Sequence, residues 1–247
     1  MIRFHAPDIA TSPYLPESDS KHCIRVLRMH AGDEVEVIDG KGGLYSCRIV
    51  AEDHRRTPLE IVSRTDLPKV WVPEITVAIA PTKHNDRMEW LVEKLVEVGV
   101  DRIVPLLCRR SERKEIKTER LEKIAVSAMK QSLKAVLPRI DEMTPISKFI
   151  VEQAKLPSAT TQRYICYCDA DTPRCILASD YRPPCDATIL IGPEGDFDPA
   201  EVRAALDAGF VAATLGNNRL RTETAALVAC DTIQIINQRY CGTSNPA

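Results

Sequence analysis

The chain has 247 residues, of which 44% are hydrophobic and 28% charged, the ordinary mixture of a globular protein. Its 33 lysines and arginines against 35 aspartates and glutamates give a net charge of -2. This balance excludes a uniformly basic, RNA-coating protein, but it leaves room for a local basic face. No uncharged apolar run reaches the roughly 18 residues of a membrane-spanning helix, so we expect no membrane association.

Nine cysteines are present, an odd number with no CxxC pair, so we expect neither a zinc module nor any other metal site. Cys166 and Cys168 share one predicted strand and are expected to be core thiols. Many free thiols indicate a reducing compartment. The N-terminus MIRFHAPDIA lacks the apolar core of a signal peptide, so the expected location is the cytoplasm.

Residues 1–68 have the pattern of β structure. Two strand-like runs at 35–39 and 44–49 flank a glycine-rich turn, and residues 59–62 form another strand. Several short strands in so little chain predict a small barrel. Residues 66–73 carry two prolines and no helical period, which indicates a linker.

After the linker, strands alternate with helices. A strand at 75–80 precedes a helix that Asn85 or Asp86 begins and Gly99 ends. Pro105 makes the next strand, 103–107, an edge strand or an irregular one. A second helix is predicted from the apolar spacing of Leu121 through Ala135, ending near Pro138.

The remaining chain continues the alternation, with strands predicted at 164–168, 188–191 and 211–215. Asp198, Pro199, Glu201 and Gly209 are the cap, first-turn and stop residues of a helix between the last two strands. A final helix is predicted at 223–238. This order predicts an α/β fold with a largely parallel sheet covered on both faces.

Ligands of an open parallel sheet bind beyond the carboxyl ends of its strands, and the loop from Gly192 to Asp198 has that position. Gly192 and Gly195 allow close backbone approach to a ligand. Glu194 and Asp196 add negative charge, which suits a sulfonium cation or a ribose hydroxyl better than a phosphate. The glycine-rich nucleotide motifs are absent. A simple strand-to-helix connection is the alternative.

A second polar loop occupies residues 215–225. Arg219, Arg221 and Glu223 are more than a turn requires, and binding residues concentrate in loops held by a rigid scaffold. The alternative is an ordinary loop with solvated arginines, followed by a helix that Thr222 or Thr224 caps.

Together the two loops resemble the SPOUT class of methyltransferases, and most closely the RsmE family, which methylates N3 of a uridine in the decoding region of 16S rRNA. The resemblance rests on Gly-Pro-Glu-Gly at 192–195 and on Leu-Gly-x-x-x-Leu-Arg-Thr-Glu-Thr-Ala at 215–225. It extends to the N-terminal run 22–28, to residues 83–87 and 94–100, and to Gln131-Ser132 and Pro138. The chain departs from the family pattern at Asp196, Asn218, Arg219, Lys130 and Lys134.

The resemblance implies a PUA-like β-barrel that binds RNA over residues 1–68. It further implies a SPOUT α/β methyltransferase domain over residues 74–241 with a C-terminal trefoil knot. S-adenosyl-L-methionine is the implied cofactor, the implied partner is 16S rRNA or the small ribosomal subunit, and the implied assembly is a homodimer. The cofactor residues expected in the two loops are Ile191, Gly192, Pro193, Glu194, Gly195, Leu215, Gly216, Leu220 and Thr222.

Methylation of uridine N3 requires loss of its proton, and a cation would stabilise the resulting charge on the flanking carbonyl oxygens. Arg221 is the first candidate for that cation. Glu223 or Glu194 could accept the proton, but each could equally cap a helix or hold an arginine. RNA contacts are expected from His22, Arg25, Arg28, Lys83, Arg87 and Lys130, with Arg25 and Arg28 on one face if their segment is helical.

Three alternatives remain open from the sequence. The basic run at 109–117 is either a further RNA contact or a solvated loop. The enzyme could be another SPOUT methyltransferase, acting on tRNA or on a ribose 2′-OH. A non-catalytic rRNA-binding assembly factor is a third possibility, and it predicts no affinity for the cofactor.

Overall fold

The computed structural model describes residues 2–69, 73–168 and 173–241. The chain divides into two compact units, Met1–Val70 with Val126–Leu137, and Trp71–Ala125 with Pro138–Ala247. The predicted linker at 66–73 lies partly outside the described residues, and its first residue, Asp66, still belongs to a strand.

The first unit is built on a four-stranded sheet in the order β1-β2-β3-β4. Its strands are β1 (Arg3–His5), β2 (Glu34–Ile38), β3 (Gly43–Ile49) and β4 (Leu59–Asp66). β1 pairs parallel with β2, and the other two pairs are antiparallel. Helix α1 (Glu17–Lys21) continues into a π-helical turn, His22–Val26. The predicted strands are confirmed, and closure into a barrel stays a prediction.

A return segment, Val126–Leu137, completes the first unit. Within it, the backbone N–H of Leu137 donates to the carbonyl of Gly40, and the carbonyl of Ala135 accepts from Gly42, each at 2.9 Å. The prediction that helix continues to Ala135 is therefore wrong. The helix ends at Gln131, and Leu133 has a left-handed φ of 57°.

The second unit contains an eight-stranded sheet whose pairs are all parallel. The order is β10-β12-β9-β11-β5-β6-β7, with β8 also paired to β6. The strands are β5 (Ile75–Ile79), β6 (Arg102–Leu107), β7 (Arg139–Ile140), β8 (Thr144–Pro145), β9 (Thr161–Cys166), β10 (Cys175–Ile176), β11 (Asp186–Ile191) and β12 (Val211–Thr214).

The helices of the second unit are α2 (Asn85–Val98), α3 (Thr118–Gln131, which runs into the return segment), α4 (Ile146–Ala154), α5 (Leu177–Asp180), α6 (Pro199–Asp207) and α7 (Thr222–Tyr240). Every residue of β5 is buried, as expected for a parallel sheet covered on both faces. Phe149 of α4 and Ala205 of α6 belong to the cluster on one face. α7 packs against β5, β11 and α2.

Pro105 lies in an interior strand, so its predicted place at an edge is wrong. β6 pairs with β5 on one side, and on the other with β7 through Arg102 and Ile103 and with β8 through Leu106 and Leu107. Pro105 lies opposite Ile79 of β5 and, on the other side, between the two short strands, so the alternative of an irregular strand describes β6 better.

Local capping follows the sequence closely in α6. Asp198 accepts a hydrogen bond from the backbone of Ala200, Glu201 closes a capping box, and Gly209 follows the helix at a φ of 86°. At α7 the prediction is wrong, because Arg221 is the N-cap residue and its side chain makes no capping bond. No described helix is long and apolar enough to span a membrane, and none of the nine cysteines, all of which lie in the described ranges, forms a disulfide.

Candidate active site

The carboxyl ends of four neighbouring strands meet at one edge of the second unit's sheet. In register, Ala213 of β12 lies opposite Cys166 of β9, Cys166 opposite Ile191 of β11, and Ile191 opposite Ile79 of β5. The loops that follow these strands therefore start side by side, where parallel sheets bind their ligands.

The loop after β11 is joined to the loops on either side of it by carboxylates that accept backbone hydrogen bonds. Glu194 Oε1 accepts from the N–H of Lys83, after β5, at 3.0 Å, and Asp196 Oδ2 accepts from the N–H of Cys168, after β9, at 2.9 Å. Asp196 has a φ of 60°. The residue that departs from the family pattern thus ties two loops of the site together.

Buried Gly192 and Pro193 form the inner part of this loop, whereas Glu194 and Gly195 are exposed. A Cβ atom on Gly192 would lie 3.1 Å from Cδ2 of Phe197 and 3.2 Å from its backbone nitrogen. Phe197 is itself buried in the core. A larger residue here would force Phe197 to shift by a few tenths of an ångström, so close packing against the following turn favours glycine.

A cleft of about 730 Å³ opens beside this loop, between the ends of β9 and β12. Of the expected cofactor residues, Leu215, Gly216 and Leu220 line it. Gly216 has a φ of 124°, and its backbone is held by the hydroxyl of Thr214. Residues Ile191 to Gly195 do not line the cleft. Asp196, the next residue of their loop, is hydrogen-bonded to Cys168 in the wall of the cleft.

Sequence reasoning missed one wall of the cleft. Cys166, Tyr167, Cys168 and Arg174 line it, and the Arg174 guanidinium donates to the carbonyl of Tyr167 at 2.7 Å. The expectation that both cysteines are core thiols is wrong for Cys168, which is exposed, whereas Cys166 is partly buried. Burial raises the pKa of the Cys166 thiol to about 12. Cys166 and Cys168 lie at or just after the carboxyl end of β9, and the rule that parallel sheets bind ligands there would have identified them as lining residues.

The two predicted catalytic residues differ in environment. Arg221 is exposed at the start of α7, with Thr222 half-buried beside it. Glu223 is only 6% exposed. Its Oε1 lies 3.8 Å from Nε of Arg87, and no hydrogen-bond partner of its Oε2 is found among the described residues.

The predicted RNA contacts of the first unit lie around the π-helical turn. His22, Arg25 and Arg28 are exposed. Arg28 follows the turn with a φ of 55°, so the expectation that Arg25 and Arg28 share a helical face is wrong. Lys130 forms a salt bridge with Asp19 at 2.9 Å.

In the second unit, Lys83 pairs with Glu112 at 3.0 Å. Arginines of the basic run 109–117 support the site loops. Arg110 donates to the carbonyl of Gly195 at 3.2 Å, and Arg113 donates to the carbonyls of Thr82 and Lys83 at 3.2 and 2.7 Å. These two arginines are therefore not fully solvated, and an RNA contact of the run stays a prediction. No group of three or more potential metal ligands occurs among the described residues.

Two family models match the chain. The model of an RNA methyltransferase domain matches residues 70–234, and the model of an RNA methyltransferase PUA domain matches residues 15–57. The first contains both site loops and the whole cleft, and the second covers most of the first unit's sheet before β4.

Relatives and solved structures agree with these matches. Ribosomal RNA small subunit methyltransferase E of Aquifex aeolicus is 30% identical over 86% of this chain and 90% of its own length. A crystal structure named "probable rRNA-methyltransferase" from Porphyromonas gingivalis is 47% identical, with a TM-score of 0.91 over 97% of this chain and 100% of its own.

The ribosomal RNA small subunit methyltransferase E of Neisseria gonorrhoeae, solved bound to S-adenosyl methionine, is 29% identical, with a TM-score of 0.83 over 96% of this chain and 98% of its own. The Aquifex relative matches over 86% of this chain, and the two domain models match in addition. The chain therefore belongs to the ribosomal RNA small subunit methyltransferase E family of RNA methyltransferases, whose RsmE pattern its two loops carry.

Proposed function

We propose that this protein methylates small-subunit ribosomal RNA at N3 of a uridine in the decoding region, with S-adenosyl-L-methionine as methyl donor. The observation that carries the proposal is the cleft of about 730 Å³ at the carboxyl edge of the sheet, bounded by the loop Leu215–Leu220. The names of the relatives and the cofactor bound to the Neisseria enzyme support it.

The residues around the cleft fit this cofactor. Backbone N–H groups of residues 217–220 donate to no backbone carbonyl in the described structure, and they remain available for the ring nitrogens and the carboxylate of the ligand. Leu215, Leu220 and Ala225 supply apolar contact for an adenine ring. We assign cofactor binding to these loops, with Ile191 to Gly195 and Thr222 supporting the cleft.

When bound, the cofactor supplies an electrophilic methyl group for in-line displacement. The chain must hold the uridine N3 opposite that methyl group, and positioning of this kind contributes up to roughly 7–11 kcal/mol in well-oriented reactions. We assign Arg221 to the uracil carbonyl oxygens, where its guanidinium stabilises the charge that develops as N3 loses its proton to water. Its exposure at the N-terminus of α7 leaves it accessible to RNA.

For the two carboxylates we propose positioning roles. Glu223 is buried and faces Arg87, and Glu194 is engaged by the backbone of Lys83. Each carboxylate is therefore already engaged by another group of the chain, as a positioning residue is. Glu223 thus orients Arg87, and Glu194 orders the loop.

RNA binding is assigned to basic residues: exposed His22, Arg25 and Arg28 with partly buried Lys130 in the first unit, and exposed Lys83 with partly buried Arg87 in the second. Phosphate contacts position the RNA, and they make its affinity fall with rising salt. Because Lys130 and Lys83 are already paired with carboxylates, we expect them to contribute less than Arg25 and Arg28.

We further propose a closed barrel in the first unit, a trefoil knot at the C-terminus, and a homodimer that acts in the cytoplasm. The dimer is supported by apolar side chains on α7 and α2 that remain exposed in a single chain. Ile235 is 47%, Tyr240 58% and Trp90 43% exposed, and exposed apolar groups of this size mark interaction surfaces when they cluster.

The test is methylation of small ribosomal subunits purified from a strain that lacks the activity, followed by nucleoside analysis. We expect N3-methyluridine at one site. A 2′-O-methyl nucleoside, or modification of tRNA alone, would instead identify a different RNA methyltransferase. Absence of cofactor binding in calorimetry at millimolar concentration would point to a non-catalytic assembly factor.

Arg221→Ala tests the role of Arg221 in catalysis. The matched control is Arg203→Ala, because Arg203 of α6 is also an exposed arginine. Loss of an oxyanion-stabilising donor lowers kcat roughly 100- to 1,000-fold, whereas the control should keep wild-type turnover. Wild-type kcat in Arg221→Ala would remove this residue from the mechanism.

A further inference from the structure

A second cleft, of about 330 Å³, lies wholly within the first unit. It forms where the chain after β1, the segment before α1 and the turn before β4 come together. The residues that matter for its chemistry are Pro7, Asp8, Tyr14, Glu17, Arg55 and Arg56. We refer to it as the Tyr14 cleft.

The backbone around the Tyr14 cleft is fixed by hydrogen bonds. Leu15 N–H donates to the carbonyl of Thr57 at 3.0 Å, and the Thr57 hydroxyl donates to the carbonyl of Asp53 at 2.8 Å. Asp53 Oδ1 accepts from the N–H of Arg55, also at 2.8 Å. A cleft whose walls are already held needs little ordering when a ligand binds.

One wall presents a stacked aromatic and cationic pair. The Arg56 guanidinium carbon lies 4.1 Å from the centroid of the Tyr14 ring, and Arg56 also donates to the hydroxyl of Ser12 at 3.4 Å. Tyr14 remains 37% exposed. Unpaired RNA bases stack on tyrosine rings and on guanidinium planes, so this pair offers a flat surface of the right chemistry.

The charges of the cleft suit a nucleotide better than a bare phosphate. Within the described ranges, neither Arg55 nor Arg56 forms a salt bridge, and both are exposed. Asp8 also lines the cleft, and an ionised carboxylate accepts N–H groups such as those on a base edge but repels phosphate. Glu17, the other carboxylate, is paired with Lys21 at 2.6 Å.

We propose that the Tyr14 cleft binds one unpaired nucleotide of the RNA substrate. Its base stacks against the Tyr14–Arg56 pair and donates an N–H to Asp8, while Arg55 holds its phosphate. Ligand pockets range from roughly 300 to 1,000 Å³, so a cleft of about 330 Å³ suits one nucleotide and no duplex. The inference rests on the proposed function for the identity of the ligand as RNA.

The experiment measures RNA affinity and steady-state methylation of small ribosomal subunits for Tyr14→Ala, Tyr14→Phe and Arg56→Ala. The control is Arg48→Ala, because Arg48 is an exposed arginine of β3 paired with Glu34 and Glu60 in the same unit. The affinity for S-adenosyl-L-methionine is measured alongside by calorimetry. Ultraviolet crosslinking of the wild-type protein to 4-thiouridine-substituted ribosomal RNA then maps the contacted peptide.

We expect Tyr14→Ala to raise the RNA Kd and KM roughly 5- to 150-fold, the range for one base stacked on an aromatic ring, without changing kcat or cofactor affinity. Tyr14→Phe keeps the aromatic ring and should bind RNA with wild-type affinity. Arg56→Ala should also weaken binding, and Arg48→Ala should behave as wild type. The crosslinked peptide should contain Tyr14.

Wild-type RNA affinity in both Tyr14→Ala and Arg56→Ala would overturn the proposal, as would crosslinking confined to other peptides. Should Tyr14→Ala prove unstable, exposed Arg56 decides, because its removal disturbs no buried group. A wild-type protein that binds RNA at this cleft but methylates nothing would overturn the proposed function and leave this inference standing.

Discussion

The pair formed by Arg87 and Glu223 permits a test of whether the buried carboxylate positions an arginine or handles the proton. The side chain of Glu223 is 7% exposed and that of Arg87 is 33% exposed, and 3.8 Å separates Oε1 from Nε. Oε2 of Glu223 already lacks a hydrogen-bond partner among the described residues. Arg87→Ala would therefore also remove the cation that faces Oε1 of this buried carboxylate.

A buried acceptor left unsatisfied costs about 1–3 kcal/mol, and we take the lower half of this range because Arg87 is partly solvated. In a unit of this size each kcal/mol lowers Tm by roughly 2–4 °C. Glu223→Gln removes the charge and keeps the shape, so the double variant with Arg87→Ala should be more stable than Arg87→Ala alone.

The assay combines urea unfolding of the two single variants and the double variant with kcat and KM for each. If Glu223 acts through Arg87, the two single variants should impair methylation by similar factors, and the double variant by no more than the worse of them. A loss of kcat confined to Glu223→Gln, together with an altered pH profile, would refute the positioning role and restore Glu223 as proton acceptor.

Three other perturbations test the site and the assembly. Gly192→Ala should destabilise the protein by about 1–3 kcal/mol and weaken cofactor binding, because the added Cβ meets Phe197 at 3.1 Å; calorimetry that matches wild type would contradict this. Alkylation of exposed Cys168 should slow methylation, and bound cofactor should protect the thiol; equal labelling with and without cofactor would place the ligand elsewhere. Ile235→Glu should halve the molar mass in light scattering if α7 forms the dimer interface, and an unchanged mass would exclude this part of the helix.

The sequence predicted correctly the features that depend on residues close together in the chain. The cap and stop of α6 were predictable because Asp198, Glu201 and Gly209 act within one helix. Likewise, the alternation of strands with helices predicted a parallel sheet, and the consecutive buried residues of β5 and β11 agree with it. That the loops after β11 and β12 lie at the same edge of the sheet followed from strand polarity, once the order of strands and helices was known.

The wrong predictions for the end of α3 and the start of α7 concern features that short sequence patterns do not determine. Ala135 continues the apolar spacing of α3, yet its carbonyl accepts from Gly42, a residue 93 positions earlier in the chain, and the helix ends before it. No local pattern encodes such a contact. Similarly, Arg221 takes the N-cap position that the threonines were expected to fill, because the cofactor loop runs straight into α7.

The two hydrogen bonds that join the loops of the site determine which of their four residues can be substituted without loss of a bond. Glu194 and Asp196 supply side-chain oxygens, while Lys83 and Cys168 supply only backbone N–H groups. For these two bonds, substitution on the donor side changes little, whereas substitution of either carboxylate breaks a connection. In a saturation mutagenesis screen for folding stability the four positions should split accordingly, with Lys83 and Cys168 tolerant of many side chains and Glu194 and Asp196 of fewer.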